Sequence, residues 1–311
     1  MSREFTKVGV VGLGTMGAGI TEVFARNGLP VIAIERDEAA IVRGLGHVEH
    51  STARAVARGK LTAAQQRAIL ERIDCGTDLA ALADVDLVVE AVPEKLELKH
   101  EVFKQFEHAV GPDTVLASNT SGIPITKIAE VCEHPARVVG MHWSNPPHLI
   151  PMIEVIPGEQ TSQEAVDTTA ELVRRIGYHP VQEREVPGFV ENRILYAILR
   201  ECLDLVDRGI ISPEGLDLNV RWGIGYKLAV IGPMELLDMA GLDIYNAVGS
   251  YLNKDLSTSG DVSSTIREKI DQGRLGMKTG GGIYDYTPEQ IDQLRAKRAG
   301  KLVAVRKALE A

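Results

Sequence analysis

The chain has 311 residues, 44% hydrophobic and 25% charged, and carries a formal net charge of −9. That length holds one large domain or two ordinary ones with full cores, and the composition is that of an ordinary globular protein. The acidic balance, without a basic stripe or block of like charges, argues against a nucleic-acid partner. No apolar run reaches the roughly eighteen residues of a membrane helix.

The first half alternates strands and helices. MSREFTK leads directly into the β-rich run KVGVVGL without signal-peptide character, so a cytoplasmic location is expected. TMGAGITEVFARNG follows as an amphipathic helix, PVIAIE is a second strand, and a long helix is predicted from Glu38 to Gly59. A further helix, from Thr62 to Arg72, has Thr62 as its cap. DVDLVVEAV reads as a strand buried on both faces of a parallel sheet. LELKHEVFKQFEHAV is helical, TVLASNT a strand and ITKIAEVC a short helix. After VVGMHW and MIEVI come a helix from Ser162 to Ile176 and a last strand, YHPVQ. Strands spaced by helices predict βαβ units and a doubly wound sheet. From Gly188 onward the β-rich runs vanish and five or six helices are predicted. The expected division is therefore a Rossmann-like α/β domain over 1–186 and an all-helical domain over 187–311.

Gly12-Leu13-Gly14-Thr15-Met16-Gly17 is a GxGxxG sequence between a strand and a helix. Its first glycine permits a tight turn, its second lets the backbone approach a pyrophosphate, and its third packs helix on strand. The helix N-terminus offers N–H groups to the phosphates. Glu35 ends the second strand 21 residues after Gly14, where its carboxylate can accept from both ribose hydroxyls. That favours NAD over NADP. Arg36 beside it is the residue that a 2′-phosphate would use instead.

In GMHWSNPPHLIPMIE, His142 and Glu154 stand twelve residues apart on two β-rich runs joined through a Pro-Pro turn. If the runs pair, the two side chains meet, and a carboxylate that fixes an imidazole tautomer makes a general base. A buried structural His–Glu pair is the alternative. The three cysteines (Cys75, Cys132, Cys202) suit buried free thiols, and the eight histidines show neither HxH nor HExxH spacing, so no metal is expected.

These segments, together with VEAVPEKLELK, ASNTSGIPIT, PGFVENRIL, GPMELLDMAGLD and LGMKTGGGIYDY, resemble the 3-hydroxyacyl-CoA dehydrogenase family over nearly the whole chain. The resemblance implies a Rossmann-like NAD domain with added strands and a helical C-terminal domain that forms a homodimer. It implies His142 as catalytic base, Glu154 as its partner, and Ser121 and Asn192 as contacts to the substrate oxygen. Glu94 and Lys99 match residues near the cofactor. Ser121 as a helix cap and Asn192 as a bridge within its own helix are the bland alternatives.

Three departures from the acyl-CoA members surround the expected pocket. HWSNP stands where they read HFFNP, which places Ser144 beside the base. His148 follows the Pro-Pro turn, and GIGYKLAVIGP carries extra residues around Tyr226 and Lys227. Ser144, His148, Tyr226 and Lys227 can hydrogen-bond a carboxylate or ring hydroxyl. Trp143 and Trp222 can wall a flat ring, although packing is the more common use of such residues. The departures resemble the branch of the family acting on small free acids, and imply a pyridine carboxaldehyde of vitamin B6 breakdown as substrate. A 3-hydroxybutyryl-CoA dehydrogenase is the alternative, and a non-catalytic NAD-binding protein a third reading.

Overall fold

Four short apolar runs, VGVV, VIAI, LVVE and VLAS, are buried along their whole length. Strands covered on both faces by crossover helices need this near-continuous hydrophobicity. The protein is described by a computed structural model covering residues 4–310. Contacts divide it into two units, Met1–Asn192 and Arg193–Ala311.

The first unit is built on an eight-stranded sheet of order β3-β2-β1-β4-β5-β6-β7-β8. The strands are β1 Val8–Val11, β2 Val31–Ile34, β3 Ile73–Gly76, β4 Leu87–Glu90, β5 Val115–Ser118, β6 Val138–Trp143, β7 Met152–Pro157 and β8 His179–Gln182. All neighbours from β3 to β6 pair in parallel, whereas β6 and β7 are antiparallel and β7 and β8 parallel again. The helices are α1 Thr15–Arg26, α2 Glu38–Ala57, α3 Ala63–Leu70, α4 Leu96–Ala109, α5 Ile125–Ala129 and α6 Gln163–Arg175. Thr62 and Gln65 form a reciprocal capping box at the start of α3. Chain order reverses beside β1, between β2 and β4, and in a doubly wound sheet the crevice at the carboxyl ends there takes the ligand.

One strand escapes the sequence reading. β3 is IDCG, with neither an apolar run nor clean alternation, and it exists because its backbone completes the ladder beside β2. Two apolar clusters sandwich the sheet. Val139, Met141, Trp143, Ile153 and Val155 face one of them. Val138 and Ile156 face the other, together with Phe189.

A buried ion pair sits at the ends of β4 and β5. Glu90 accepts Lys99 Nζ at 2.8 and 2.9 Å and the Ser118 hydroxyl at 2.6 Å, and both charged side chains are fully buried. Lys99 also reaches Glu94 at 3.2 Å.

Helix α7 (Phe189–Asp207) carries the chain into the second unit, which continues with α8 Pro213–Asn219, α9 Tyr226–Leu228, α10 Pro233–Ala240, α11 Leu242–Leu252, α12 Ser264–Asp271 and α13 Pro288–Leu309. The count exceeds five or six because a π-helical stretch, Val220–Gly225, separates α8 from the single turn of α9. Among its described residues no apolar side chain is fully buried, while Met234, Met239, Leu242, Ile244, Tyr245 and Tyr251 are exposed. No helix among the described residues is long and apolar enough to cross a membrane.

Removing Lys99 should strip the buried Glu90 carboxyl of its cationic partner and leave it only the Ser118 hydroxyl and the Val92 N–H. Lys99→Met is expected to lose about 3–5 kcal/mol of stability, read from urea denaturation.

Candidate active site

The glycine loop has the geometry a dinucleotide needs. Gly12 has φ +94°, and a Cβ there would meet Ala91 O at 2.8 Å. A Cβ on Gly17 would fall 1.7 Å from Gly12 O, so only glycine lets α1 start against the loop. At Gly14 a Cβ would meet nothing within 4 Å, and α1 has no side-chain cap. The loop therefore leaves an open approach to backbone N–H groups at a helix N-terminus, the arrangement that receives a pyrophosphate. Thr15 is exposed there and Met16 packs inward. Glu35 accepts the N–H groups of Leu13 (2.9 Å) and Arg36 (2.8 Å), which fixes its carboxylate at the end of β2. The Arg36 guanidinium pairs with Asp37 at 3.0 Å.

His142 and Glu154 are directly opposed across the antiparallel β6–β7 ladder. Their side chains lie on one face, where His142 Nδ1 meets Glu154 Oε2 at 2.6 Å and both residues are buried. The other carboxylate oxygen, Oε1, accepts the N–H groups of Val190 (3.1 Å) and Glu191 (2.7 Å) at the start of α7. Burial opposes the Glu154 charge, but the His142 contact and the Glu191 N–H outweigh it and hold the carboxyl below its usual range. Since a carboxylate only accepts, Nδ1 carries the proton and Nε2 is left as the accepting nitrogen of the neutral ring. The Phe189 ring packs against the imidazole at 5.6 Å.

A second carboxyl lies behind the first. Val190 N also donates to Glu183 Oε1 at 3.0 Å, while Glu183 Oε2 is buried without a hydrogen-bond partner. Burial pushes Glu183 up to about 7, and the adjacent Glu154 charge adds to the rise.

Neighbouring loops hang on the same framework. Thr120 Oγ1 and Ser121 N donate to Glu94 at 2.6 and 2.9 Å, and Asn192 Nδ2 donates to Ser121 O at 3.0 Å. Ser121 is exposed and does not cap α5, whose N-cap is Pro124; Asn192 bridges to another segment instead of within α7. Asn119 Oδ1, unremarked in the sequence, accepts Trp143 N at 2.9 Å and ties β5 to β6 beside His142.

The other expected contacts separate. Ser144 is buried and donates to the Glu191 carboxylate. His148 lies instead among the charges of Glu22, Arg26, Arg54 and Lys60, and burial lowers its pKa. Lys99 is spent on Glu90 and Glu94 within the core. Trp143 belongs to the packing, with Phe24 and Tyr178 rings each at 5.5 Å. Tyr226 and Lys227 lie in the second unit, where the exposed Tyr226 ring sits 6.1 Å from that of Trp222.

The profile described as 3-hydroxyacyl-CoA dehydrogenase, NAD binding domain, matches residues 7–186, and that of the family's C-terminal domain matches 188–286. The chain belongs to the 3-hydroxyacyl-CoA dehydrogenase family. It is accordingly an NAD-dependent dehydrogenase, and NAD is its cofactor. Among family members, 5-formyl-3-hydroxy-2-methylpyridine 4-carboxylate 5-dehydrogenase of Mesorhizobium japonicum is 51% identical over 305 residues, covering 97% of this chain and 98% of that one. A probable 3-hydroxybutyryl-CoA dehydrogenase of Deinococcus radiodurans is 39% identical over 90% of this chain and all of its own. A crystal structure of the pyridine-carboxylic acid 5-dehydrogenase, described as an NAD+-dependent dismutase, superposes with a TM-score of 0.90 at 49% identity and covers 99% of each chain. The (S)-3-hydroxybutyryl-CoA dehydrogenase of Ralstonia eutropha gives 0.77 at 36% identity, over 91% of this family member and 100% of its own chain.

Glu183 supplies a pH test. The folded state holds its proton up to about pH 7, against 4.5 for the unfolded chain, so folding binds the extra proton between these values. Stability contributed by this group is lost as pH rises through that window. Glu183→Gln should raise the Tm at pH 8 relative to the parent and leave it nearly unchanged at pH 4, measured by thermal scans at matched ionic strength.

Proposed function

We propose that the protein oxidises a small aldehyde acid, a pyridine carboxaldehyde of vitamin B6 breakdown, with His142 as general base. The observation that carries the substrate class is the 51% identity, spread over 97% of the chain, to the Mesorhizobium pyridine-carboxylate dehydrogenase. The polar Ser144–Glu191 contact beside the base supports it, because a thioester tail needs no such pair.

In this reading His142 Nε2 takes a hydroxyl proton from the substrate. Glu154, held as an anion by the α7 amides, compensates the charge of the imidazolium formed. The Ser121 hydroxyl and the Asn192 side chain hold the substrate oxygen as it becomes a carbonyl. Bound NAD supplies the carbon that accepts the hydride. Glu35 receives the ribose hydroxyls, and Glu94 and Lys99 act indirectly by fixing the strand end that carries Ser121. A cytoplasmic location belongs to the same reading, from the absence of signal-peptide character in MSREFTK.

A homodimer completes the reading. The second unit has no fully buried apolar side chain of its own among the described residues, so its exposed Met239, Ile244 and Tyr245 call for a covering copy. Equilibrium sedimentation should give twice the 33.7 kDa chain mass, and the Tm should rise with protein concentration.

For the chemistry, His142→Ala should lower kcat by about 10²–10⁴-fold while leaving NADH affinity, read by fluorescence titration, within about twofold. Near-normal kcat would overturn the base assignment. A panel of pyridine carboxaldehydes, carnitine, gulonate and acetoacetyl-CoA tests the substrate. A clear preference for acetoacetyl-CoA would overturn the free-acid reading in favour of the 3-hydroxybutyryl-CoA activity borne by other family members.

A further inference from the structure

Glu191 is a carboxylate that a one-hydroxyl substrate does not require. Its backbone N–H caps Glu154, while its side chain turns back to take the Ser144 hydroxyl. A ring nitrogen of His142 and one carboxylate oxygen each of Glu154 and Glu191 all lie within 4.8 Å of one another. Placing a further acid this close to Glu154, beyond Glu183, is electrostatically unfavourable, and Ser144 donates a single hydrogen bond toward it. The remaining acceptor positions of the half-buried Glu191 carboxylate are open to another donor beside His142.

The reaction class identifies that donor. A secondary alcohol brings one hydroxyl to the base. An aldehyde that is oxidised first adds water, and its hydrate brings two hydroxyls on the same carbon. We propose that the Glu191 carboxylate, positioned by Ser144 beside the His142–Glu154 pair, accepts a hydrogen bond from the second hydroxyl of an aldehyde hydrate. The inference rests on the aldehyde reading above.

Atoms and charge balance with water and NAD+ as the only co-reactants. Aldehyde and water give the hydrate. The hydrate loses one hydroxyl proton to His142 and its C–H hydride to NAD+. The deprotonated oxygen becomes the carbonyl, and the second hydroxyl, held by Glu191, becomes the acid hydroxyl and later ionises. Reduction of the unhydrated aldehyde to an alcohol involves no second hydroxyl, so Glu191 discriminates between the two directions in which an aldehyde can react.

The test uses full-length enzyme with 5-formyl-3-hydroxy-2-methylpyridine 4-carboxylate. NADH formation from NAD+ and NADH consumption are measured separately. Glu191→Leu should lower kcat/KM for oxidation by about 10–100-fold relative to reduction on the same preparation, the effect of one lost hydrogen bond to a charged group. Ser144→Ala keeps the carboxylate but frees it, and should shift the ratio in the same direction by less. Residue 191 retains its N–H in both variants, so the Glu154 cap survives; Tm and NADH affinity verify the fold. Equal losses in both directions, or unchanged oxidation, would overturn the Glu191 inference alone. A parent enzyme inactive with the aldehyde in both directions would overturn the substrate reading and this inference with it.

Discussion

The grip of the α7 amides on Glu154 is the contact on which the rest of the site depends. A carboxylate this deeply buried is costly unless its lone pairs are taken up. One oxygen receives Val190 and Glu191 N–H, and the other receives the imidazole. The amides point inward because Gly188 (φ +81°) and Phe189 (φ +50°), the first residue of α7, turn the chain where the helix starts. Phe189 tolerates this unusual conformation for a bulky residue because its ring is completely buried against the imidazole. The same turn delivers Asn192 to Ser121 and Glu191 to Ser144. A single turn of backbone thus fixes four side chains at once.

Much of the architecture is legible because parallel strands and crossover helices impose their own patterns. The runs at β1, β2, β4 and β5 read as strands from hydrophobicity alone, and the glycine spacing marks the cofactor loop. β3 is not legible, since its pairing comes from the neighbouring backbone and not from its own side chains. The His142–Glu154 meeting is legible because the two runs flank one turn. Glu183 and Glu191 are not, because their nearness to Glu154 arises from the path of the chain before and into α7, which no periodicity encodes. Lys99 sits in a motif associated with the cofactor, yet four helical residues of reach carry its ammonium inward to Glu90. His148 follows the Pro-Pro turn, and that turn sends it toward the charges of α1 and α2, away from the partners of Ser144.

The acidic surroundings of the imidazole have a common cause. Glu154, Glu183 and Glu191 all draw on two adjacent N–H groups of one helix start, as acceptors or as the residue that donates. Positive charge at a helix N-terminus is the resource that lets several acids gather around one histidine. At Val190, where that resource is shared, the N–H bond favours the Glu183 carboxylate, but burial and the adjacent Glu154 charge outweigh it and the carboxyl keeps its proton up to about pH 7.

The antiparallel pairing of β6 and β7 has one more consequence. Register across five residue pairs, from Val139–Pro157 to Trp143–Ile153, is set by the buried faces of the two strands. The connecting segment between Trp143 and Met152 lies outside those pairs. It carries Ser144 and His148, which point to different surroundings, while His142 and Glu154 stay opposed on the ladder. The rigid ladder and the irregular connector thus set two kinds of side-chain position, one fixed by strand register and one fixed by contacts the connector makes elsewhere.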